Sequence, residues 1–315
     1  MDCPALPGGP PGAVACAPTP HQCANRSSTC SAATLTRVPS YADIVRSRPP
    51  APAPRRRPSP DPDGALMGRP RAVLPFSQLT LGKTTAPWHA GAWRVEACSV
   101  RDDVLRVQYP RGSSNFDSGG PPGGCNFRAR PHCLPATDVT LAYRVRFPDS
   151  FEWSRGGKLP GLFIGFGDAS GGKHSGTAAS CRLMWKQEGG VIAYVYPPTG
   201  VKQSAAYARA AKEGDRYGDA MFGDAGLRLV RGGSDAWNDI VLRVKLNGFD
   251  AEGRPVPDGV VTVSVNQQAA TFQGVIWRRR PDIKINHISF TTFYGGKWKC
   301  PRSTYAEFKG VSCIT

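Results

Sequence analysis

The chain has 315 residues, of which 40 are Lys or Arg and 24 are Asp or Glu, giving a net charge of +16. That length fits one large domain or two small ones, and the basicity suggests an anionic partner such as nucleic acid, an anionic membrane or an acidic polymer, with simple solubility as the alternative. A membrane-spanning helix and a classical secretory signal are both excluded from the expectation. No apolar run is long enough for the first, and the N-terminus lacks the basic start and apolar core of the second.

Residues 1–75 carry 16 of the 30 prolines, few aromatics, no lysine, and nine Arg against four Asp. Such a stretch cannot bury enough apolar surface to offset the entropy of ordering it. It is expected to be a disordered tail, with 76–315 as one domain of 31 basic and 20 acidic residues. Cys3, Cys16, Cys23 and Cys30 of the tail fit no familiar zinc spacing.

Further along, Ser99–Tyr109 alternates, and 111–124 reads as a loop. Val139–Phe147 is the clearest strand, with Val139, Leu141, Tyr143, Val145 and Phe147 on one face and Arg144 and Arg146 on the other. Lys158–Phe166 is apolar on both sides, as for a strand buried between layers. Pro160 puts its start at an edge or a bulge. Ala-, Gly-, Asp- and Arg-rich 200–235 reads as a long excursion with a short helix at 204–213. Trp237–Leu246, Val260–Val265 and Ile283–Tyr294 alternate again, and Thr304–Cys313 closes the chain as a last strand. Many strands, turn signals between them and almost no helix predict an all-β fold, a jelly-roll sandwich of two antiparallel sheets. Within the domain, Cys125–Cys133 and Cys300–Cys313 are close enough in sequence for local disulfides; buried free thiols are the alternative.

Residues 179–196 read as a β-hairpin turning at Gln187-Glu188-Gly189-Gly190. A three-residue loop at 187–189, with Gly189 left-handed, pairs Arg182 with Tyr194 and Ser180 with Tyr196. All four side chains then share one face. A two-residue loop would split them between faces.

An arginine beside two tyrosines suits β-elimination on a uronic acid. The proton on C5 becomes acidic only when the neighbouring carboxylate is neutralised. The planar fork of arginine matches that carboxylate. Tyrosine, with a free pKa of about 10, serves as base or acid when a cation favours its phenolate. The same residues also make ordinary cross-strand pairs.

Five segments decide between these readings: GGKLPGL at 156–162, SCRLMW at 180–185, YVYPP at 194–198, WNDIVLRVKLN at 237–247 and ISFTTFYGG at 288–296. From about Trp93 onward the chain resembles polysaccharide lyase family 14, known from large algal viruses and molluscs, and is similar in sheet and signature to glucuronan lyase family 20. The resemblance implies a β-jelly roll with a concave cleft that cleaves alginate or glucuronate chains, leaving an unsaturated 4,5 uronate end. It implies Lys158, Ser180, Arg182, Tyr194 and Tyr196 as the catalytic set. Lys158 and Arg182 would neutralise the carboxylate, Tyr196 would transfer the proton, and Tyr194 and Ser180 would orient the sugar. His174, Tyr294 and Lys297 are assigned to substrate binding.

The expected partner is an acidic polysaccharide, with no nucleic acid, no membrane insertion and a monomeric state. No metal ligand set and no required cofactor are expected, while structural calcium stays open. Location stays open among cytoplasmic synthesis, release by lysis and packaging in a virus particle. The alternative function is a non-catalytic module that binds acidic polysaccharide on the same fold.

Overall fold

The computed structural model describes residues 71–315 apart from 81–84, 118, 154–155, 212–216 and 297. The proline-rich stretch through residue 70, with its four cysteines, lies outside the described residues, and so does Lys297. In chain order the elements are β1 (Arg71–Leu74), β2 (Gly91–Arg94), β3 (Cys98–Arg101), β4 (Val104–Tyr109), β5 (Cys125–Ala129), β6 (Asp138–Arg146), β7 (Gly157–Gly165), β8 (Ala178–Trp185) and β9 (Val191–Tyr196). A short helix α1 (Ala205–Ala210) and strand β10 (Asp219–Met221) follow. Then come β11 (Trp237–Lys245), β12 (Gly259–Val265), β13 (Gln268–Val275), β14 (Ile285–Tyr294) and β15 (Thr304–Ile314).

The strands form two antiparallel sheets. One runs β13-β12-β11-β6-β15-β4-β3, with β1 also on β15, and the other runs β10-β9-β8-β7-β14-β5-β2. This is the sandwich that the strand pattern predicts. Two details move. The sheet starts at Arg71, which pairs with Ile314, so the domain begins upstream of the expected boundary at 76. The long excursion at 200–235 contributes a strand, because β10 pairs with β9. The helix expected there forms over Ala205–Ala210, with the Ser204 side chain capping the Tyr207 N–H.

Alternating residues of both sheets fill the space between them. Val139, Leu141, Tyr143 and Val145 of β6 are fully buried. A cluster of Tyr109, Phe147, Phe151, Trp185 and Tyr294 packs ring against ring, edge-on or tilted, within the core. The described cysteines are free thiols. Cys133 donates toward the carbonyl of Cys313 rather than pairing with Cys125, so the local pairs read from spacing do not form. Among the described residues no helix is long and apolar enough to cross a membrane.

Tyr294 is a correction. The alternation of β14 points it into the core with Ile288 and Phe290, where it is 1% exposed, and its hydroxyl donates to the Glu152 carbonyl at 2.5 Å. It cannot reach a substrate on the outer face. Tyr294→Ala is therefore predicted to cost about 3–5 kcal/mol of stability, the loss for a core aromatic. Urea unfolding checks this, and a change within about 0.5 kcal/mol, as for an exposed ring, would contradict it.

Candidate active site

The β8–β9 hairpin has the register expected of a three-residue loop. Arg182 pairs with Tyr194, and Ser180 pairs with Tyr196. Lys186 lies opposite Gly190 and donates its N–H to the Gly190 carbonyl at 2.7 Å. Gly189 has φ +77°, and a Cβ there would lie 2.5 Å from the Leu229 carbonyl oxygen. The loop therefore requires glycine at that point, and the loop fixes which face the four side chains share.

A bulge adds the fifth residue. Strict alternation would put Lys158 and Gly161 on opposite faces of β7. Between Leu159 and Gly161 the pairing with β8 slips, so that Lys158 lies opposite Met184 and Gly161 opposite Arg182. Pro160 sits at the slip, having no N–H to give to a ladder. Its carbonyl instead accepts the core hydroxyl of Tyr143 at 3.3 Å. Lys158 is thereby turned to the outer face, with Nζ 4.1 Å from the centre of the Tyr194 ring. Gly161 is needed for a different reason: a Cβ there would lie 2.5 Å from Arg182 Cα and 3.0 Å from its Cγ. The arginine stem occupies the space over the glycine.

The outer face of the β10–β2 sheet thus gathers a compact cluster. The Arg182 guanidinium lies 5.4 Å from the centre of the Tyr196 ring, and the two tyrosine rings meet edge to face at 5.5 Å. The loop between β7 and β8 folds back over the cluster. Its Ala169 carbonyl accepts from Ser180 at 2.7 Å and from Arg182 at 3.1 Å. Its Gly172 N–H donates to the Tyr196 hydroxyl at 3.3 Å. The His174 ring stands 5.0 Å from that of Tyr196, and its Nε2 meets the Tyr217 carbonyl at 3.0 Å. Lys158, Arg182, Tyr194 and Tyr196 are 2–6% exposed, whereas Ser180 is 0% exposed. Its hydroxyl is committed within the protein: it ties the loop to the sheet and also accepts from Arg182 at 3.3 Å.

Burial lowers the pKa of Arg182 and the neighbouring Tyr196 and Tyr194 oppose it. The Arg182 hydrogen bonds use one terminal nitrogen, and its Nε is buried without a partner. The two outer faces of the sandwich treat their cations differently. On the β13–β3 sheet, Arg106 and Arg146 pair with Glu307, Arg144 with Asp239, and Arg243 with Asp138. Strands β2, β5, β14, β7, β8 and β9 contain no Asp or Glu, yet carry Arg94, Arg128, Lys158 and Arg182. The seventh strand, β10, carries Asp219, which is engaged by the buried Tyr207 hydroxyl at 2.7 Å. Strands that carry cations without carboxylates are complementary to a polyanion.

Sequence reasoning missed His287. It lies on the outer face of β14, stacked on Phe163 at 4.7 Å and 13°, and is 3% exposed. Only its place in an alternating strand could have signalled which way it points.

A family model described as Polysaccharide lyase 14 matches residues 98–311. The chain belongs to the polysaccharide lyase 14 family. The crystal structure of alginate lyase vAL-1 from a Chlorella virus is similar at 32% identity and a TM-score of 0.68, covering 78% of this chain and 98% of that one. The polysaccharide lyase 14 alginate lyase of Aplysia kurodai is similar at 26% identity and a TM-score of 0.61, covering 72% of this chain and 90% of that one. Exolysin of Paramecium bursaria Chlorella virus 1 is 29% identical over 176 residues. That match takes in 50% of this chain and 25% of exolysin, so the chain spans about a quarter of the length of that relative.

His287 gives this lyase-family domain a pH signature. Burial first, and then Arg128, Arg130 and Arg182, pull its pKa down to about 3. An unfolded histidine takes up its proton near 6.5. Between these values the unfolded chain binds a proton that the folded chain refuses, so stability falls as pH falls from about 6.5 toward 3. His287→Gln should flatten that fall by up to about 1.4 kcal/mol per pH unit. Urea midpoints of the two proteins across that range check it, and parallel curves would contradict it.

Proposed function

We propose that the protein is a lyase that cleaves a polyuronate chain by β-elimination, with an alginate-type polymer as the first substrate to test. The observation that carries the reading is the set of Arg182, Lys158, Tyr194 and Tyr196 on one sheet face of a polysaccharide lyase 14 chain, with no carboxylate on strands β7, β8 and β9 that bear them. The names of the two solved relatives, both alginate lyases, support the choice of substrate.

In this reading the carboxylate of one sugar unit lies against Arg182 and Lys158. Two cations in a nearly buried site neutralise it more strongly than water would. The negative charge that develops when the C5 proton leaves then spreads onto an already compensated group. Tyr196, whose ring lies 5.4 Å from the Arg182 guanidinium, accepts that proton on its phenol oxygen as general base. The electron pair of the C5–H bond becomes the C4=C5 double bond, and the C4–O bond to the next sugar breaks. The leaving oxygen takes a proton, for which Tyr194 and Lys158 are the candidate donors. Ser180 acts through Arg182, holding it under the Ala169 carbonyl. His174 borders the site over the Tyr196 ring.

Incubation with alginate, glucuronan and an uncharged glucan, followed by the ultraviolet absorbance of the unsaturated product, tests the reading. A signal on a uronan alone is expected. Tyr196→Phe should lower kcat by about a hundredfold or more. Arg182→Ala should lower kcat/KM by a similar or larger factor, and Arg182→Lys should not restore it, because a point charge does not replace the planar fork. Binding without any absorbance change in the unaltered protein would instead favour a non-catalytic polysaccharide-binding module.

A further inference from the structure

The pairing registers line up one row of residues across the whole outer face. From Ala220 on β10 the row runs through Tyr194 on β9, Arg182 on β8 and Gly161 on β7. It then continues through Ser289 on β14 to Arg128 on β5. Arg128 therefore lies in the same row as Arg182, three strand spacings away, about 14 Å. Between them the row holds Gly161 and Ser289, and in the adjoining row Ser180, Phe163 and His287 lie side by side, so the floor between the two guanidiniums includes the stacked rings of Phe163 and His287.

Arg128 is not simply a solvated surface charge. The alternation of β5 buries Cys125, Phe127 and Ala129 and turns Arg128 to the site face. Its guanidinium lies over the Phe163 ring at 5.9 Å, and Phe163 is also the ring on which His287 stacks. Beside it runs a chain of short polar groups. Ser289 Oγ meets Thr291 Oγ1 at 3.0 Å, and Thr291 donates to Asn126 Oδ1 at 3.0 Å. Among the described residues no carboxylate forms an ion pair with Arg128, whereas Arg106, Arg144, Arg146 and Arg243 of the opposite sheet each have one. The field of Arg128 reaches the floor, since it is one of the cations that keep His287 unprotonated.

We propose that Arg128 is a second carboxylate-binding subsite, which holds a uronate unit of the same chain other than the one at Arg182. The subsite rests on the polyuronate reading given above and adds to it a direction, in which the polymer crosses the strands from β9 toward β5 along the row. Arg128 is then a specificity residue: it favours chains long enough to reach it, and it favours a charged unit there over a neutral one. The polar chain of Ser289, Thr291 and Asn126 supplies hydroxyl-matching groups next to the guanidinium.

The test measures binding of oligouronates of increasing length to the full chain carrying Tyr196→Phe, so that the ligand is not consumed, with and without Arg128→Ala. Affinity should rise with length until the chain spans both arginines. Arg128→Ala should remove that rise, weakening long chains by about tenfold, the value of one charge-assisted contact. Arg128→Lys should retain part of it. Carboxyl-reduced oligosaccharides should bind both proteins alike. Equal affinity of long oligouronates for the two proteins would overturn the subsite, as would equal loss at every length or failure of uronans to bind. Cleavage by the unaltered protein is scored separately. If it cleaves no uronan while Arg128→Ala still removes the length-dependent affinity, the lyase reading falls and the subsite stands. Because Arg128 is exposed, the unfolding midpoint is expected to be unchanged, and Arg128→Gln repeats the measurement if the alanine variant fails to fold.

Discussion

A nearly buried guanidinium with no carboxylate partner among the described residues is the constraint around which the site is built. Taking an arginine out of water is costly unless its donors and its charge are answered. Among the described residues Arg182 is answered by a carbonyl, a hydroxyl and the face of the Tyr196 ring, not by an anion. Everything close to it serves that arrangement. Gly161 gives its stem room, Ser180 and the Ala169 carbonyl hold its head, and the hairpin register brings Tyr194 and Tyr196 alongside. Such a charge is incompletely compensated by the protein alone, and in the proposed reading the carboxylate of a substrate completes it. Electrostatic preorganisation of this kind requires no rearrangement at the moment of reaction.

The two faces of the sandwich show how the excess charge is divided. One sheet neutralises its arginines internally, through Glu307, Asp239 and Asp138. The other leaves its cations without acids on the six strands around the site. Net charge alone could not distinguish a basic protein made for solubility from one made for a polyanion. The segregation of the carboxylates makes that distinction, and it turns a bulk number into a directed surface.

Much of the site was legible in the sequence because strand geometry is periodic. A three-residue hairpin loop ending in glycine was enough to place Ser180, Arg182, Tyr194 and Tyr196 on one face, and the observed pairs agree residue for residue. Lys158 was reached through its motif and not through its spacing, since period-two counting gives it the wrong face without the bulge at Pro160. Tyr294 shows the converse. Its motif suggested a ligand-binding ring, but alternation along β14 sends it into the core. Ser180 was read as touching the sugar, and only the fold of the loop over the sheet shows that its hydroxyl is already committed. Three-dimensional contacts hid the rest. β1 was too short to stand out from its proline-rich surroundings, and the strand inside the 200–235 excursion exists because β9 offers it an edge. His287 belongs to a strand that was read correctly and Arg128 to β5, which was not read at all, and the importance of both lies in what stands beside them.

The most direct test is a crystal structure of the Tyr196→Phe protein with a bound oligouronate. The account predicts one uronate carboxylate held by the Arg182 guanidinium and Lys158 Nζ, with C5 of that sugar facing the ring at position 196. An oligosaccharide that binds elsewhere, or one that crosses this face with its carboxylates turned away from Arg182, would contradict it.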